Sequence, residues 1–376
     1  MEEICTRQEF LKLLRSSLWN LPLTSTDYDG SIDWKSIFFM ARQQTVWGLI
    51  VNAIDSLPTD RLPSQKDFQQ MNFLLSRNRT KHAQLNQTLA EFVTLLRNND
   101  IHPILLKGQG VAIYYKDPTL RICGDIDLYI GIKNYHKACF LAEKWRERND
   151  TNLESDKHYH FINNGVTIEL HRFAEILVNS RRNDKFQLWT QQMLRIENCR
   201  TVSIGNINIQ VPPADFEVLY LFNHIFHHFI SGGIGLRQLC DWTLALHYFH
   251  STINKDDLKA NLKAFGLWHS WKIFGYIVVN TLGLRESEFP FYDNSHQIQG
   301  QKLLEQIYDD GNFGFFNPLR TKRPNGYVTG KWHSFKSMHI RLLHLFSIFP
   351  MEIAEKWPNY IFIGITRIIK DVYRKL

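Results

Sequence analysis

The chain of 376 residues is poor in the features that mark disulfide-bonded, secreted or membrane-spanning proteins. Its five cysteines are an odd number and form no Cys-x-x-Cys pair, which argues against a disulfide framework or a zinc ribbon. No run of about 18 apolar residues occurs, so we expect no transmembrane helix. The first residues, MEEICTRQEF, lack the apolar stretch of a signal peptide. These absences together favour a reducing, cytoplasmic location.

The composition excludes several further classes of protein. Glycine (20) and proline (12) are too few for a collagen-like or proline-rich chain. Apolar residues make up 44% and charged residues 22%, which is typical of a soluble globular protein and not of a disordered one. At roughly 150 residues per domain, the length allows two or three domains.

The net charge of +7 is unevenly distributed. Residues 313–376 contain eleven lysines and arginines and three acidic residues, whereas the rest of the chain carries one net negative charge. This basic region either attracts an anionic partner, such as nucleic acid or a lipid surface, or is a solvated basic face. The last predicted helix, 357–375, is amphipathic, so it either packs on the protein or rests on an anionic membrane surface.

Hydrophobic periodicity divides the chain into three predicted domains. These are an N-terminal helical region (1–98), a small α/β core (99–211) and a C-terminal helical region with a basic end (212–376). Within them, the pattern predicts helices over 3–19, 33–55, 64–98, 135–146, 213–230, 235–250, 256–264, 267–282, 297–309, 333–347 and 357–375. Strands are predicted over 125–130, 158–163, 166–171, 201–204 and 207–211, and a loop over 310–332.

The segment Gly124-Asp125-Ile126-Asp127-Leu128 carries the strongest chemical signal. Side chains alternate in a strand, so Asp125 and Asp127 lie on one face and the apolar residues on the other. Two carboxylates about 4–5 Å apart repel by up to about 4 kcal/mol at an effective dielectric of about 20. A divalent cation would reverse the sign of this interaction, which suggests a magnesium site.

Two further segments carry polar residues that are suited to binding phosphate or a cation. Lys107-Gly108-Gln109 occupies a strand-to-helix junction, where a glycine lets backbone N–H groups approach an anion and a lysine adds a positive charge. In Val166–His171, Glu169 shares a face with His171. If this strand neighbours residues 125–130, Glu169 completes a cluster of three carboxylates that can bind two Mg²⁺ ions for phosphoryl transfer.

At these residues the sequence resembles the nucleotidyltransferases of the DNA polymerase β-like superfamily, and most closely a bacterial family described as uncharacterised nucleotidyltransferases. The matching segments are LLKG…YYKDPTLRICGDIDLYI, HYHF-x₄-VTIELH and HHFISGGIGLRQLCDW, which cover most of residues 101–245. The resemblance implies an α+β fold, with a small mixed-sheet catalytic core between helical regions.

The resemblance also implies roles for individual residues. Asp125 and Asp127 would ligate Mg²⁺ together with a nucleoside triphosphate, and Glu169 would be either a metal ligand or the base for the acceptor hydroxyl. That hydroxyl would attack the α-phosphate and release pyrophosphate. The residues expected to hold the triphosphate or neutralise its charge are Lys107, Gly108, Gln109, Arg121 and Arg237. For Arg121 the sequence leaves open whether it contacts phosphate or pairs with an aspartate.

Two residues depart from the superfamily pattern. Gln109 stands where the superfamily usually has Ser or Gly, and Glu169 stands where Asp is more common. Arg237 is four residues before Asp241 on a predicted helix, so it forms either a structural ion pair or a wall of the nucleotide cleft.

The histidines permit more than one interpretation. His158, His160 and His171 either form a metal cluster or are ordinary hydrogen-bonded or substrate-facing residues, which the absence of a recurrent ligand spacing favours. His224 and His228 share a helix face, but Ile225 follows His224, so the segment is not the HExxH of a zinc protease.

We therefore expect a Mg²⁺-dependent nucleotidyltransferase with an unidentified acceptor, which is a small molecule, tRNA or protein. One alternative is a toxin-like enzyme that modifies tRNA or protein, and another is a catalytically silent nucleotide-binding scaffold. The three carboxylates argue against the scaffold. A DNA-binding regulator is disfavoured because no reader motif occurs.

Overall fold

The computed structural model describes residues 2–24, 32–147, 153–154 and 157–373. Its α-helices are α1 (Glu2–Trp19), α2 (Trp34–Gln43), α3 (Trp47–Ile54), α4 (Gln65–Arg97), α5 (Gln109–Ala112), α6 (Gly131–Trp145), α7 (Ser180–Met193), α8 (Ala214–Ser231), α9 (Leu236–Phe249), α10 (Lys255–Phe265), α11 (Trp268–Asn280), α12 (Gln297–Asp310), α13 (Tyr327–Leu345) and α14 (Pro350–Tyr373). Its strands are β1 (Ile104–Leu105), β2 (Asp125–Tyr129), β3 (Leu153–Glu154), β4 (His158–Asn163), β5 (Val166–His171), β6 (Arg200–Ile204) and β7 (Ile207–Val211).

The described strands form one mixed sheet in the order β3-β4-β5-β2-β1-β7-β6. β2 lies in the middle, parallel to β5 and antiparallel to β1, while β1 is parallel to β7. The remaining neighbours pair as antiparallel hairpins. The predicted α+β fold, a small mixed sheet flanked by helical regions, is confirmed.

Alternation of apolar and polar residues fixes the orientation of the two central strands. Ile126 and Leu128 of β2 are buried, as are Val166, Ile168 and Leu170 of β5. They join a core with α4 and α6, whose contributions include Phe92 and Tyr135. The polar residues of both strands are therefore turned to the opposite face of the sheet, as the sequence predicts.

The helices at the two ends of the chain share a single apolar core. Phe10 of α1 and Ile50 of α3 belong to the same buried cluster as Trp242 of α9 and Phe274 of α11. Hydrogen bonds reinforce this packing, since Trp19 Nε1 donates to the carbonyl of Leu282 (2.6 Å). Gln44 Nε2 donates to the carbonyl of Ile307 (3.1 Å). The division into three domains at these boundaries stays a prediction.

Three local predictions were wrong. The helix predicted over 33–55 is broken, because Thr45 adopts a positive φ of 54° between α2 and α3. Helix α7 was missed, since Phe186 and Thr190 are its only buried described residues and leave little apolar periodicity. Helix α13 begins at Tyr327, inside the predicted 310–332 loop.

The two C-terminal helices are unevenly packed. The start of α13 exposes Val328 and Trp332, whereas Leu342 and Leu345 near its end are buried. Ile353 of α14 is buried. The apolar stripe predicted for the last helix falls mostly on side chains outside the described set, namely Ile365, Ile368, Ile369 and Val372. Within the described part of the chain, no helix combines the length and apolar character that crossing a bilayer requires.

Close packing at Gly48 ties the N-terminal helices to the segment that leads into β2. A Cβ atom at Gly48 would lie 2.2 Å from the carbonyl oxygen of Leu120. We predict that Gly48→Ala lowers the free energy of unfolding by about 1–3 kcal/mol, the usual effect of overpacking. Urea denaturation measures this change. Gly124→Ala is the matched control, because a Cβ there meets nothing within 4 Å, and an equal loss in both variants would contradict the packing argument.

Candidate functional site

The pairing of β2 with β5 brings the three predicted carboxylates together. Asp125 lies opposite Thr167 and Asp127 opposite Glu169, and paired residues on adjacent strands project from the same face. All three carboxylates line one cleft. Asp127 is buried, while Asp125 and Glu169 are partly exposed to the cleft.

Two basic side chains hold Asp127 in place. Lys107 Nζ lies 2.9 Å from Asp127 Oδ1. His171 Nε2 lies 2.9 Å from the same oxygen and 3.3 Å from Glu169 Oε2. β1 pairs with β2, so the residues directly after β1 reach the carboxylate face at its centre. The sequence predicts Lys107 at the phosphate but gives no sign of its contact with Asp127.

These contacts set the charges of the ion pair. Burial by itself would raise the pKa of Asp127, but the Lys107 ammonium and the His171 hydrogen bond outweigh burial and hold that pKa well below its ordinary value. Burial would likewise lower the pKa of Lys107, but Asp127 and the neighbouring anions raise it above the ordinary lysine value. Lys107 and Asp127 are therefore a charged pair at neutral pH.

The other two carboxylates differ from Asp127 and from each other. The negative charge of Asp127, together with burial, raises the pKa of Asp125 above its ordinary value. Burial would also raise the pKa of Glu169, but the hydrogen bond with His171 lowers it. Ionised Asp125 is therefore the least stable of the three carboxylates, and a further positive charge nearby would stabilise it.

Gly108 and Gln109 follow β1 at a turn and are both predicted to bind nucleotide, but only Gly108 lines the cleft. Gly108 lines the cleft with a φ of +63°, and a Cβ there would lie 3.0 Å from the carbonyl oxygen of Asp125. Gln109 is buried beneath this turn. Its amide nitrogen lies 3.3 Å from His82 Nδ1 and donates to Asn86 Oδ1, so this side chain is tied to α4 and does not line the cleft.

The two predicted arginines occupy different environments. Arg121 is buried and donates through Nε and Nη2 to both oxygens of Asp241, each at 2.8 Å. Tyr115 donates a third hydrogen bond to Asp241 (2.7 Å). Arg237 lies further from this carboxylate, with 3.8 Å between Nη1 and Oδ2. Asp241 is thus chiefly the partner of Arg121, and Arg237 is the looser contact at the cleft wall.

A further buried carboxylate, Glu175, lies near Lys107 through His224, and no sequence pattern predicts it. His224 Nε2 lies 3.2 Å from Lys107 Nζ, and His224 Nδ1 lies 3.5 Å from Glu175 Oε2. Lys157 Nζ contacts the other oxygen of Glu175 at 2.8 Å. Burial and the nearby Lys107 charge keep the pKa of His224 well below its ordinary value, so its neutral ring accepts from the ammonium. The only hint in the sequence that His224 has a role in the cleft is its position on the same helix face as His228.

The cleft is large and carries groups of both signs. Its volume is about 1430 Å³, above the ~300–1,000 Å³ common for small-molecule sites. Besides the carboxylates it is lined by cationic side chains, which are Lys107, Arg121, Lys157, Arg172, Arg237 and Lys331. An apolar wall is formed by Ile176, Leu177, Val178, Leu221 and Ile225. Such a cleft has space for a charged ligand and a second molecule together.

The donor set fits a divalent cation. Asp125, Asp127 and Glu169 offer carboxylate oxygens, the ligands that Mg²⁺ prefers. The Lys107 ammonium and the His171 hydrogen bond stabilise Asp127 but offset only part of the repulsion in the cluster, as the raised pKa of Asp125 indicates. The residues present are therefore suited to holding Mg²⁺ in the cleft.

A mixed sheet that presents an Asp-x-Asp pair beside a further carboxylate, with a Lys-Gly turn at the next strand, defines a nucleotidyltransferase-like core. Residues 30–282 match the model of a family described as uncharacterised nucleotidyltransferase. The match spans well over half of the chain, so the protein belongs to this family. No curated protein and no solved structure matches the chain. The family supports nucleotidyl transfer as the general activity.

The opposite pKa shifts of the two aspartates predict opposite effects on stability. A raised pKa means that ionised Asp125 destabilises the folded protein at pH 7, and this penalty disappears as the pH falls through that pKa. A lowered pKa means that ionised Asp127 stabilises the fold, and this contribution is lost as the pH falls through its own, lower pKa.

We therefore predict that Asp125→Asn raises the midpoint of thermal unfolding of the metal-free protein at pH 7. Asp127→Asn should lower the free energy of unfolding by about 3–5 kcal/mol, because Lys107 is left without its buried partner. Calorimetry in a chelating buffer measures both variants. Equal signs for the two substitutions would contradict the charge assignment.

Proposed function

We propose that the protein is a Mg²⁺-dependent nucleotidyltransferase that moves a nucleoside monophosphate from a nucleoside triphosphate to an acceptor hydroxyl. The acceptor oxygen forms a bond to the α-phosphorus, the bond to the bridging oxygen breaks, pyrophosphate leaves, and the hydroxyl proton passes to solvent. The observation that carries this proposal is the register of β2 and β5, which sets three carboxylates on one face of the sheet inside a large cleft.

Asp125, Asp127 and Glu169 are the residues that would hold Mg²⁺. The ion, when bound, neutralises phosphate charge and orients the reacting groups. Asp125 gains most from this, because its raised pKa reflects repulsion that a cation relieves. Asp127 contributes an oxygen that Lys107 and His171 already hold in position.

Glu169 is better suited to be a ligand than a general base. Its pKa is lowered by the hydrogen bond with His171 despite burial, so it is a weak proton acceptor near neutral pH. An ionised carboxylate opposite Asp127 is a suitable oxygen donor for a cation. This favours the ligand role among the two that the sequence left open.

Triphosphate binding falls to Lys107, Gly108 and Arg237 in this proposal. Lys107 is charged, and His224 and Asp127 fix its ammonium. Gly108 keeps the turn free of a side chain next to Asp125. Arg237, loosely paired and at the cleft wall, neutralises charge on the departing pyrophosphate.

Gln109 and Arg121, two of the residues predicted to bind nucleotide, have supporting positions in this scheme. Gln109 anchors the turn to α4 through His82 and Asn86. Arg121 uses two of its nitrogens to bind Asp241 and thereby fixes α9 against the segment that leads into β2.

The direct test is pyrophosphate release with each of the four nucleoside triphosphates and Mg²⁺, with a cell extract as the source of acceptors. We predict release by the wild type and loss of at least about 100-fold in Asp125→Asn/Asp127→Asn, since metal-assisted catalysis supplies several kcal/mol. A labelled triphosphate then identifies the acceptor as small molecule, tRNA or protein.

The matched control for this assay is Asp309→Asn, an acidic residue of α12 that does not line the cleft. Absence of release by the wild type, together with absence of Mg²⁺-dependent nucleotide binding, would contradict the proposal. Mg²⁺-dependent nucleotide binding without any release would leave the silent scaffold as the better description.

Arg237 gives a separate prediction about nucleotide affinity. We expect Arg237→Gln to weaken binding of the Mg²⁺-bound triphosphate by about 10–100-fold, the effect of losing one hydrogen bond to a charged group. Titration calorimetry measures the affinity. Arg320→Gln, at an arginine outside the cleft, is the control and should bind as the wild type does. Unchanged affinity in Arg237→Gln would remove this residue from the site.

A further inference from the structure

Two histidines, one from β4 and one from β5, lie beside the carboxylate cluster. His158 of β4 is paired in register with His171 of β5, and their ring centroids are 5.3 Å apart. Glu169 lies two residues before His171 on the same face. One ligand atom from each of these three residues lies within 4.8 Å of the other two.

The imidazole ring of His171 is oriented by a carboxylate, as the rings of metal-binding histidines usually are. Its side chain is 1% exposed, and Nε2 contacts Asp127 at 2.9 Å. The other ring nitrogen, Nδ1, is buried and has no hydrogen-bond partner among the described residues. Histidines that bind metals commonly donate their second N–H to a carboxylate, which fixes the ring. An unsatisfied buried ring nitrogen beside a second imidazole therefore points to an ion.

The donor set determines which class of ion fits. Two imidazoles and one carboxylate suit borderline cations such as Zn²⁺ and Mn²⁺, whereas Mg²⁺ prefers oxygen ligands alone. Three protein ligands also leave a coordination position open for water or substrate, as in catalytic zinc sites. The pair Asp125 and Asp127 is by contrast an oxygen-only set.

We propose that His158, Glu169 and His171 form a binding site for a borderline transition-metal cation, distinct in chemistry from the Mg²⁺ position and sharing Glu169 with it. The site rests on its own donors and not on the proposed function. If the protein transfers nucleotides, the cluster holds two cations of different chemical class, one on oxygen ligands and one on nitrogen and oxygen ligands.

The test uses the full chain after treatment with a chelator, with Co²⁺ as a spectroscopic probe and Zn²⁺ as competitor. With excess Mg²⁺ present to fill the oxygen-only position, we expect one Co²⁺ per chain, with the visible absorption of nitrogen and oxygen ligands, and we expect Zn²⁺ to displace it. His158→Gln should weaken binding at least about 100-fold, because even indirect partners of metal ligands contribute about 10–100-fold.

His160→Gln is the matched control, since this histidine lies on the same face of the same strand, opposite Glu169, but outside the three-residue cluster. It should bind Co²⁺ as the wild type does. Wild-type affinity in His158→Gln, or an equal loss in both variants, would overturn the site. An intense near-ultraviolet band from thiolate would assign the ion to a free cysteine instead and would also overturn it.

A measurement on the wild type guards against misfolding of a variant. Proton NMR of the Co²⁺-loaded protein should show two strongly shifted exchangeable imidazole N–H signals, one from each ligating histidine, and their absence would overturn the site. Asp125→Asn separates this inference from the proposed function. It should retain Co²⁺ binding while losing Mg²⁺-dependent nucleotide binding, so either proposal can fail while the other stands.

Discussion

The register of β2 against β5 is the constraint on which the rest of the site depends. Because side chains alternate along a strand, a slip of one residue would move Glu169 to the buried face and bring an apolar residue opposite Asp127. The buried residues Ile126, Ile168 and Leu170 prevent that slip, since it would expose them. Packing of the apolar face thus determines the geometry of the polar one. The placement of Lys107 follows from the same sheet, because β1 pairs with the other edge of β2.

The site concentrates negative charge and offsets only part of it. Asp127 is stabilised by Lys107 and His171. Lys107 is in turn contacted by His224, whose other ring nitrogen lies 3.5 Å from Glu175. For Asp125, the Asp127 charge and burial outweigh the nearby Lys107 and Arg237 charges, so its pKa is raised. A protein selected only for stability would replace such a carboxylate, as natural proteins commonly sacrifice stability at functional sites. This residual negative charge is the feature on which the proposed Mg²⁺ site rests.

The carboxylate-bearing face of the sheet can be predicted from the sequence, because strand alternation and turn residues are local features of the chain. Asn163-Asn164-Gly165 marks the hairpin, so β4 and β5 were predicted with the bounds that the structure shows. The alternation in β2 likewise places Asp125 and Asp127 without any tertiary information. What the sequence could not show are contacts between distant segments: Glu175 reaches His224 across 49 positions, and Asp241 pairs with Arg121 more closely than with the nearby Arg237. Whether an arginine binds phosphate or fixes a helix depends on such contacts.

The core shared by the two ends of the chain has a consequence for how the protein folds during synthesis. The apolar faces of α1 and α3 are completed by α9, α11 and α12, the last of which ends at Asp310. Contacts so far apart in sequence form slowly, and the earliest helices emerge from the ribosome long before their partners. The sheet, whose strands all lie between residues 104 and 211, can assemble meanwhile. The nascent chain therefore exposes an unfinished apolar surface on its N-terminal helices at a time when all the described strands of the sheet have already been synthesised.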